Sequence, residues 1–386
     1  MSIDGPGSPP HRFEALDALR GVAAFAVLFY HLRTLEGADG AHASLPAFAS
    51  GYLAVDLFFL LSGFVISHAY DQRLHDGLSL RRFMIARFVR LQPTIAIATL
   101  LGFAVALSQR LSGAADAAGL FAIATSFAAN LLMLPNVLVP WGIFLLNPPA
   151  WSLFYELVAN AVYAAGIRKT RVRLKGAKAS STVDRWLLLA CLGGLAGLSA
   201  SLALGGSLDR GVVLADAPVA LSRITFSFAL GALLSRHRQR WLPRLPHLPV
   251  PLLLLACLCL LAAEFDGTPR ATYDLAFAAV LSPALVMLTA AARPSGRLAA
   301  ASSWLGMISY PLYAVHAPVK HMLEAALPLS FVPMLTVIAI AAVTCAWVTA
   351  ICAEPPLRRW LAGKLQGRGD KAAPPLIAQP QLQGEA

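Results

Sequence analysis

The feature that most constrains this chain is a succession of apolar runs, each close to the length of a membrane crossing. A helix of about 20 residues spans the roughly 30 Å of hydrocarbon in a bilayer. Backbone groups in lipid must find their hydrogen bonds within the protein, so such runs predict helices. The runs lie at 15–33, 51–70, 91–109, 149–167, 186–205, 214–235, 249–264, 271–292, 304–325 and 331–353. We therefore predict an all-α, polytopic membrane bundle of about ten transmembrane helices.

Composition supports the same class and excludes several others. Hydrophobic residues make up 58% of the chain and charged residues only 13%, which is about half of the charged fraction in soluble domains. This balance excludes a soluble globule, a disordered chain and a disulfide-rich secreted module. The net charge of +11 would suggest a nucleic-acid partner in a soluble protein, but here the basic residues lie mainly between apolar runs, so none is predicted. The five cysteines lie in apolar runs without metal-ligand spacing, so no metal site is predicted.

Charge placement predicts how the runs are threaded through the membrane. Most of the 31 lysines and arginines fall in five segments, 73–90, 168–185, 236–244, 293–297 and 358–371. If a further apolar stretch at 118–134 does not cross, all five segments share one side with both termini. If it crosses, the strongly basic segment 168–185 moves to the other side. Since basic loops stay in the cytoplasm, we predict N-in and C-in topology, with a re-entrant or interfacial helix at 118–134.

These boundaries divide the chain into three parts. Residues 1–14 are predicted to form a cytoplasmic N-terminal segment and residues 15–357 the membrane domain. Residues 358–386 are predicted to form a cytoplasmic tail. The end of that tail is rich in Pro, Gln and Gly, a composition typical of disorder.

Two ionisable residues on the first run are the leading functional candidates. A charge at the bilayer centre costs at least roughly 2.5 to 3.5 kcal/mol, so an ionisable residue inside a span needs a reason to be there. Arg20 and His31 are eleven positions apart, within about 20° of three whole helical turns and about 16 Å apart along the axis. They therefore share a face, and Asp17 is spaced to pair with Arg20. The alternative is that both side chains extend to the headgroups at their own membrane surface.

A second cluster of charge opens the third run. Arg87 and Arg90 lie three positions apart and follow Arg81 and Arg82. Guanidinium groups near a helix N-terminus suit phosphate, because the fork donates two hydrogen bonds and free backbone N–H groups add to the positive potential. The segment predicts a site for a phosphate-bearing donor or, alternatively, a basic surface that binds anionic lipid.

Two further runs carry polar side chains at helical spacing. Ser152 and Glu156 are four positions apart, so they share a face, and Ser152 is placed to orient the carboxyl group. Tyr310, Tyr313 and His316 follow one another at steps of three. This second stripe indicates either a polar face or ordinary helix packing.

Two remaining carboxylates lie near the ends of runs. Asp56 opens an apolar segment that only Ser62 and Gly63 interrupt, and small residues permit close contact between helices. Glu354 precedes two prolines at the end of the last run, where we expect it to pair with Arg358.

Taken together, these segments resemble the membrane acyltransferase 3 family. The matching stretches are Leu16–Ala24 with His31, Gly51–Phe59, Leu61–Phe64, Arg87–Pro93, Trp151–Leu153 with Glu156, Ser309–Tyr313 with His316, and Glu354–Pro355. They occur in the same order as in that family and are spread over the whole membrane domain. Between about 186 and 300 the likeness rests on hydropathy alone.

The resemblance implies transfer of an acyl group, usually acetyl, from acyl-CoA to a hydroxyl of a carbohydrate or glycolipid of the cell envelope, in a bacterial inner membrane. It assigns Arg20 and His31 to the chemistry. Arg87 and Arg90, helped by Arg81 or Arg82, would hold the phosphates of CoA. No metal is expected.

Within that picture several roles stay open. His31 would act as a general base on the acceptor hydroxyl or, alternatively, as a transient acyl carrier. Glu156 joins the catalytic candidates. Substrate-orienting candidates are Asp17, Asp56, Ser152, Tyr313 and His316. A competing interpretation is a proton-coupled transporter or a flippase for lipid-linked glycans, with His31, Glu156 and His316 as a proton relay.

Overall fold

The computed structural model describes residues 13–35, 48–114, 117–174 and 176–365, and this part of the chain is built from helices joined by loops. The α-helices are α1 (Glu14–Leu32), α2 (Ala54–His75), α3 (Leu80–Leu111), α4 (Leu120–Leu131), α5 (Ala150–Arg173), α6 (Gly176–Gly205), α7 (Ala217–Arg236), α8 (Arg238–Trp241), α9 (Val250–Ala262), α10 (Gly267–Ala276), α11 (Ser282–Ala291), α12 (Gly296–Ala326), α13 (Phe331–Val348) and α14 (Glu354–Leu365). Most of the predicted N-terminal segment and residues 366–386 of the predicted tail lie outside the described residues.

The prediction of an all-helical membrane protein is confirmed. Among the described residues, seven helical segments are long and apolar enough to cross a membrane, and they match seven of the predicted runs. The other three predicted runs are helices of a different kind. Helices α5 and α12 are long but interrupted by polar residues, and α9 has 13 residues. The count of ten crossings and the orientation stay predictions.

The stretch at 118–134 forms a short helix. Helix α4 covers 12 residues, which gives a length of about 18 Å. That length falls short of the hydrocarbon core. A re-entrant or interfacial position in the membrane is compatible with this length and stays a prediction.

The long helices run back and forth between two ends of the bundle. At one end Arg236 of α7 forms ion pairs with Asp71 of α2 and with Asp184 of α6, the latter at 2.5 Å. We call this the basic end, since the predicted cytoplasmic basic segments lie there. At the other end Arg33, just after α1, lies 3.4 Å from Glu264, just after α9. We call this the opposite end.

The chain stays helical beyond the end of the last predicted run. Residues 358–365, the first eight of the predicted tail, belong to α14. The two prolines at 355 and 356 do not stop the helix, because they fall in the first turn of α14, after a π-helical turn at Thr349–Ala353. A missing N–H is tolerated in a first turn, and the wider π turn accommodates the change. The expected pair of Glu354 with Arg358 is present at 3.0 Å.

Helices α2 and α7 cross with their backbones in close contact. A Cβ atom at Gly63 of α2 would lie 2.0 Å from the carbonyl oxygen of Phe228, and one at Gly231 of α7 would lie 2.0 Å from that of Leu60. These distances are far below van der Waals contact, so only glycine fits. The predicted close helix contact at Gly63 is therefore confirmed, and it fixes the depth of Asp56 and Ser62 in the bundle.

We expect Gly63→Ala to lower the melting temperature of the detergent-solubilised protein, because the methyl group would push α2 away from α7. Overpacking of this kind costs about 1–3 kcal/mol or more. Gly193→Ala on α6 is the matched control, because a Cβ atom there meets nothing within 4 Å. Equal melting temperatures for the two variants, measured by thermal aggregation and size-exclusion chromatography, would contradict the close contact.

Candidate active site

A stripe of polar residues on α12 organises the interior of the bundle. We call Ser309, Tyr310, Tyr313 and His316 the polar column. They span seven steps of the helix, or about 10 Å of rise. Ser309, Tyr313 and His316 are buried, with relative exposures of 1%, 5% and 0%. Since α12 packs against α1, α3 and α13, the column meets polar groups from several helices at successive depths.

The lower half of the column, nearer the basic end, contacts α1 and α3. Arg20 donates from Nε to the Ser309 hydroxyl at 2.9 Å and from Nη2 to Asp17 at 2.9 Å. The Tyr310 hydroxyl donates to the main-chain carbonyl of Leu91 on α3. Arg20 is thereby held against α12, with Asp17 orienting it as the spacing predicts.

The upper half of the column, nearer the opposite end, contacts α5 and α1. The Tyr313 and Ser152 hydroxyl oxygens are 2.7 Å apart, and Ser152 also donates to the Pro149 carbonyl. The imidazole rings of His316 and His31 have their centroids 4.9 Å apart. The structure therefore brings together four predicted site residues, Ser152, Tyr313, His316 and His31.

Hydrogen bonding fixes which nitrogen of each neutral imidazole carries the proton. Nδ1 of His31 lies 2.9 Å from the carbonyl oxygen of Val27, and Nδ1 of His316 lies 3.1 Å from that of Leu312. A carbonyl oxygen can only accept, so each Nδ1 carries the hydrogen. Each Nε2 then keeps its lone pair. The Nε2 of His316 is buried without a hydrogen-bond partner among the described residues.

A cavity at the opposite end gives access to His31. Its volume is about 400 Å³, and it is lined by Tyr30, His31, Arg33, Thr34 and Asp209. The His31 imidazole therefore lies between this cavity and the buried column. A polar molecule that enters from the opposite end meets a ring with a free lone pair, which is what a general base requires.

Arg20 and His31 lie on the same side of α1, as the spacing predicts, since both contact α12. They do not lie at the same depth. The α1 residues between them on this side, Ala23, Ala24 and Val27, are apolar and buried, with exposures of 2% or less. Arg20 therefore meets Ser309 at the foot of the column, while His31 meets His316 at its top.

Glu156 is engaged in a buried ion pair with Arg87. The carboxylate accepts from Arg87 Nη2 at 2.8 Å and from the Ser62 hydroxyl at 2.7 Å. Arg87 is buried, whereas Arg90 is exposed and Arg82 half-buried. The two arginines of the predicted phosphate site thus have different surroundings: Arg87 neutralises Glu156, and Arg90 reaches the surface of α3.

Asp56 is connected to the loop between α6 and α7 through Arg223. It forms a fully buried pair with Arg223 of α7, with contacts of 2.7 Å and 3.2 Å. The Arg223 guanidinium also donates to the carbonyls of Tyr52, Leu208 and Arg210. Asp56 therefore fixes the loop between α6 and α7 instead of facing the cavity.

Sequence reasoning missed Asp209, which lines the cavity beside His31. The Tyr30 hydroxyl donates to its carboxylate, although the two residues are 179 positions apart. Asp209 lies in a short polar segment between two apolar runs, and such a position by itself carries no functional signal. Only the tertiary fold brings it to His31.

No metal site accompanies these groups in the described ranges. A set of three or more His, Cys, Asp or Glu side chains that could hold an ion is not found there.

We expect Arg87→Met to destabilise the protein strongly, because it leaves the Glu156 carboxylate buried without its charge partner. Breaking such a pair costs about 3–5 kcal/mol. Arg87→Met combined with Glu156→Gln should recover most of the loss, since glutamine is neutral and still accepts from Ser62. Denaturation in detergent measures both.

The same variants separate a structural role of Arg87 from donor binding. If Arg87→Met kept full stability and lost only affinity for acetyl-CoA, the ion pair would not be its main function. Arg90→Met is the matched variant, because Arg90 is exposed and its loss should leave stability unchanged.

The sequence of this chain is similar to those of known proteins. The acyltransferase domain model of the acyltransferase 3 family matches residues 13–352. A protein described as protein 2 in the picA locus of Rhizobium radiobacter is 41% identical over 178 residues, which cover 42% of this chain and 87% of that protein. The peptidoglycan O-acetyltransferase OatA of Listeria monocytogenes is 34% identical over 85 residues, which cover 22% of this chain and 12% of OatA. No solved structure matches.

Proposed function

The chain belongs to the acyltransferase 3 family and is a membrane acyltransferase, and on that premise we propose that it transfers an acyl group, acetyl by preference, from acyl-CoA to a hydroxyl of a cell-envelope carbohydrate or glycolipid. The proposed location is a bacterial inner membrane with the basic end in the cytoplasm. The observation that carries the proposal is the position of His31, between a cavity at the opposite end and a buried polar column that leads toward the basic end.

The donor is proposed to approach from the basic end. Acyl-CoA bears several phosphates, and Arg90 and Arg82 offer guanidinium groups on α3 at that end. Arg87 anchors α3 to α5 through its ion pair with Glu156. The column rises only about 10 Å from Ser309 to His316, which is short relative to an extended pantetheine arm.

The acceptor is proposed to enter the cavity at the opposite end. Nε2 of His31 takes the proton of the acceptor hydroxyl while the hydroxyl oxygen attacks the thioester carbonyl carbon. The new C–O bond forms and the C–S bond breaks. CoA leaves as a thiolate, which then takes up the proton from His31. This scheme uses His31 as a base. The alternative, in which Nε2 itself carries the acyl group before the acceptor attacks, uses the same lone pair.

The depth of Arg20 narrows its proposed role. The guanidinium contacts Ser309, Asp17 and the Gly306 carbonyl at the foot of the column. That position favours contact with the donor over stabilisation of charge that develops beside His31. We therefore propose that Arg20 positions the donor. Ser152, Tyr313 and His316 line the place where the thioester would meet His31.

We expect His31→Gln and His31→Ala to lower the rate of transfer from radiolabelled acetyl-CoA by about 10²–10⁴-fold, the usual contribution of a general base. Binding of the donor should stay unchanged, because it is proposed to occur at the basic end. His321→Ala, an exposed histidine on α12 at the same end as His31, is the control. Normal turnover by His31→Gln would remove His31 from the chemistry.

Cells that lack the protein should lose an ester from their surface carbohydrate. Mass spectrometry of the envelope polysaccharide, with and without the gene product, measures this directly. Complementation with the wild-type chain should restore the ester, and complementation with His31→Gln should not. Unchanged esterification together with loss of glycan export would favour a flippase instead.

A further inference from the structure

The loop between α6 and α7, residues 206–213, is held by hydrogen bonds from several segments. Its backbone is bound by main-chain groups of the segment before α5, since Ile143 donates to the Val212 carbonyl at 3.3 Å and Leu214 donates to the Pro140 carbonyl at 2.8 Å. Asp216 accepts from Gly211 N–H at 3.1 Å. These bonds hold the loop across the opposite end of the bundle.

Two buried charged side chains grip the same loop residue. Asp274 of α10 accepts from the Leu208 N–H at 2.8 Å, and Arg223 of α7 donates to the Leu208 carbonyl at 2.8 Å. Arg223 is charge-balanced by Asp56, and Asp274 accepts from the Tyr52 hydroxyl. Burying a charged group inside a membrane protein costs free energy. Two such groups fix the backbone of Leu208, and they thereby fix the position of the residue that follows it.

That next residue is Asp209, whose carboxylate lines the cavity beside His31. The side chain is 41% exposed and lies 3.8 Å from Arg270, and it accepts from the Tyr30 hydroxyl. Tyr30 precedes His31 on α1, and their rings have centroids 5.3 Å apart. The carboxylate, the phenol and the imidazole therefore form one wall.

We propose that Asp209 binds the acceptor by accepting hydrogen bonds from hydroxyls next to the one that reacts at His31, which makes a neutral polyol the class of acceptor that the cavity takes. This inference rests on the proposed transfer reaction. A carboxylate has about four lone-pair sites, so Asp209 keeps sites for neighbouring hydroxyls although its Oδ2 already accepts from Tyr30 and lies near Arg270. The few polar groups of a ligand cavity fix orientation in this way.

The charges around the cavity favour a neutral acceptor over an acidic one. Among the described residues that line the cavity, Arg33 is the cation; it lies 3.4 Å from Glu264 and donates to the Ala49 carbonyl at 3.4 Å. Arg270 lies against Asp209 itself, and Lys320 lies 3.3 Å from Glu324. Since each of these cations has an anionic neighbour, an acceptor carboxylate would have to compete with Glu264, Asp209 or Glu324 for it, whereas a neutral hydroxyl would not.

The test is steady-state kinetics of the full-length purified protein with acetyl-CoA as donor and de-O-acylated envelope polysaccharide as acceptor. Asp209→Asn should raise the KM for the acceptor by about tenfold to a hundredfold, as expected for loss of a charged hydrogen-bond acceptor. The fall in kcat should be smaller than the rise in KM, and the KM for acetyl-CoA should not change. Asp209→Glu, which restores the charge, should recover part of the affinity.

Asp266→Asn is the matched control, since Asp266 is exposed at the same end and does not line the cavity. An unchanged acceptor KM for Asp209→Asn would overturn the proposal. A lower melting temperature with equal loss of activity in the Asn and Glu variants would also overturn it, because Asp209 would then only stabilise the loop. If the wild-type protein transfers no acetyl group to the polysaccharide, the proposed function fails instead, whatever Asp209 does.

Discussion

Two buried ion pairs between helices constrain the rest of this structure. Asp56 and Arg223 are both fully buried and meet at 2.7 Å, and Arg87 and Glu156 meet at 2.8 Å with Arg87 buried as well. An unpaired charge in such a place would destabilise the fold by several kcal/mol. Each pair joins helices that are distant in sequence, α2 with α7 and α3 with α5. The pairs thus favour these helices as neighbours, because separating them would leave a buried charge without its partner.

The polar column on α12 depends on that arrangement. Its hydroxyl and imidazole groups meet partners from α1, α3 and α5 at successive depths. Close contact at Gly63 and Gly231 draws α2 against α7, which brings Asp56 to Arg223. His31, the proposed base, lies at the top of this interior, and the loop that carries Asp209 lies beside it at the opposite end.

The sequence predicts the helical class and most of the groups that line the interior, because hydropathy and helical spacing are local properties. Ser152 with Tyr313 and His31 with His316 were recognisable as polar residues on separate helices. Their pairing was not, since spacing along one helix does not say which helix lies opposite. Asp209 and the grip of Arg223 on Leu208 were out of reach for the same reason. The early end assigned to the last helix had a different cause, a π-helical turn that lets the chain pass two prolines.

The apolar residues between Arg20 and His31 have a consequence for how the two ends of the bundle are connected. Ala23, Ala24 and Val27 give α1 no polar group between Arg20 and His31 on the side that faces α12. The polar groups at the intermediate depths come instead from the polar column on α12. A continuous polar interior between the two ends therefore depends on a single helix.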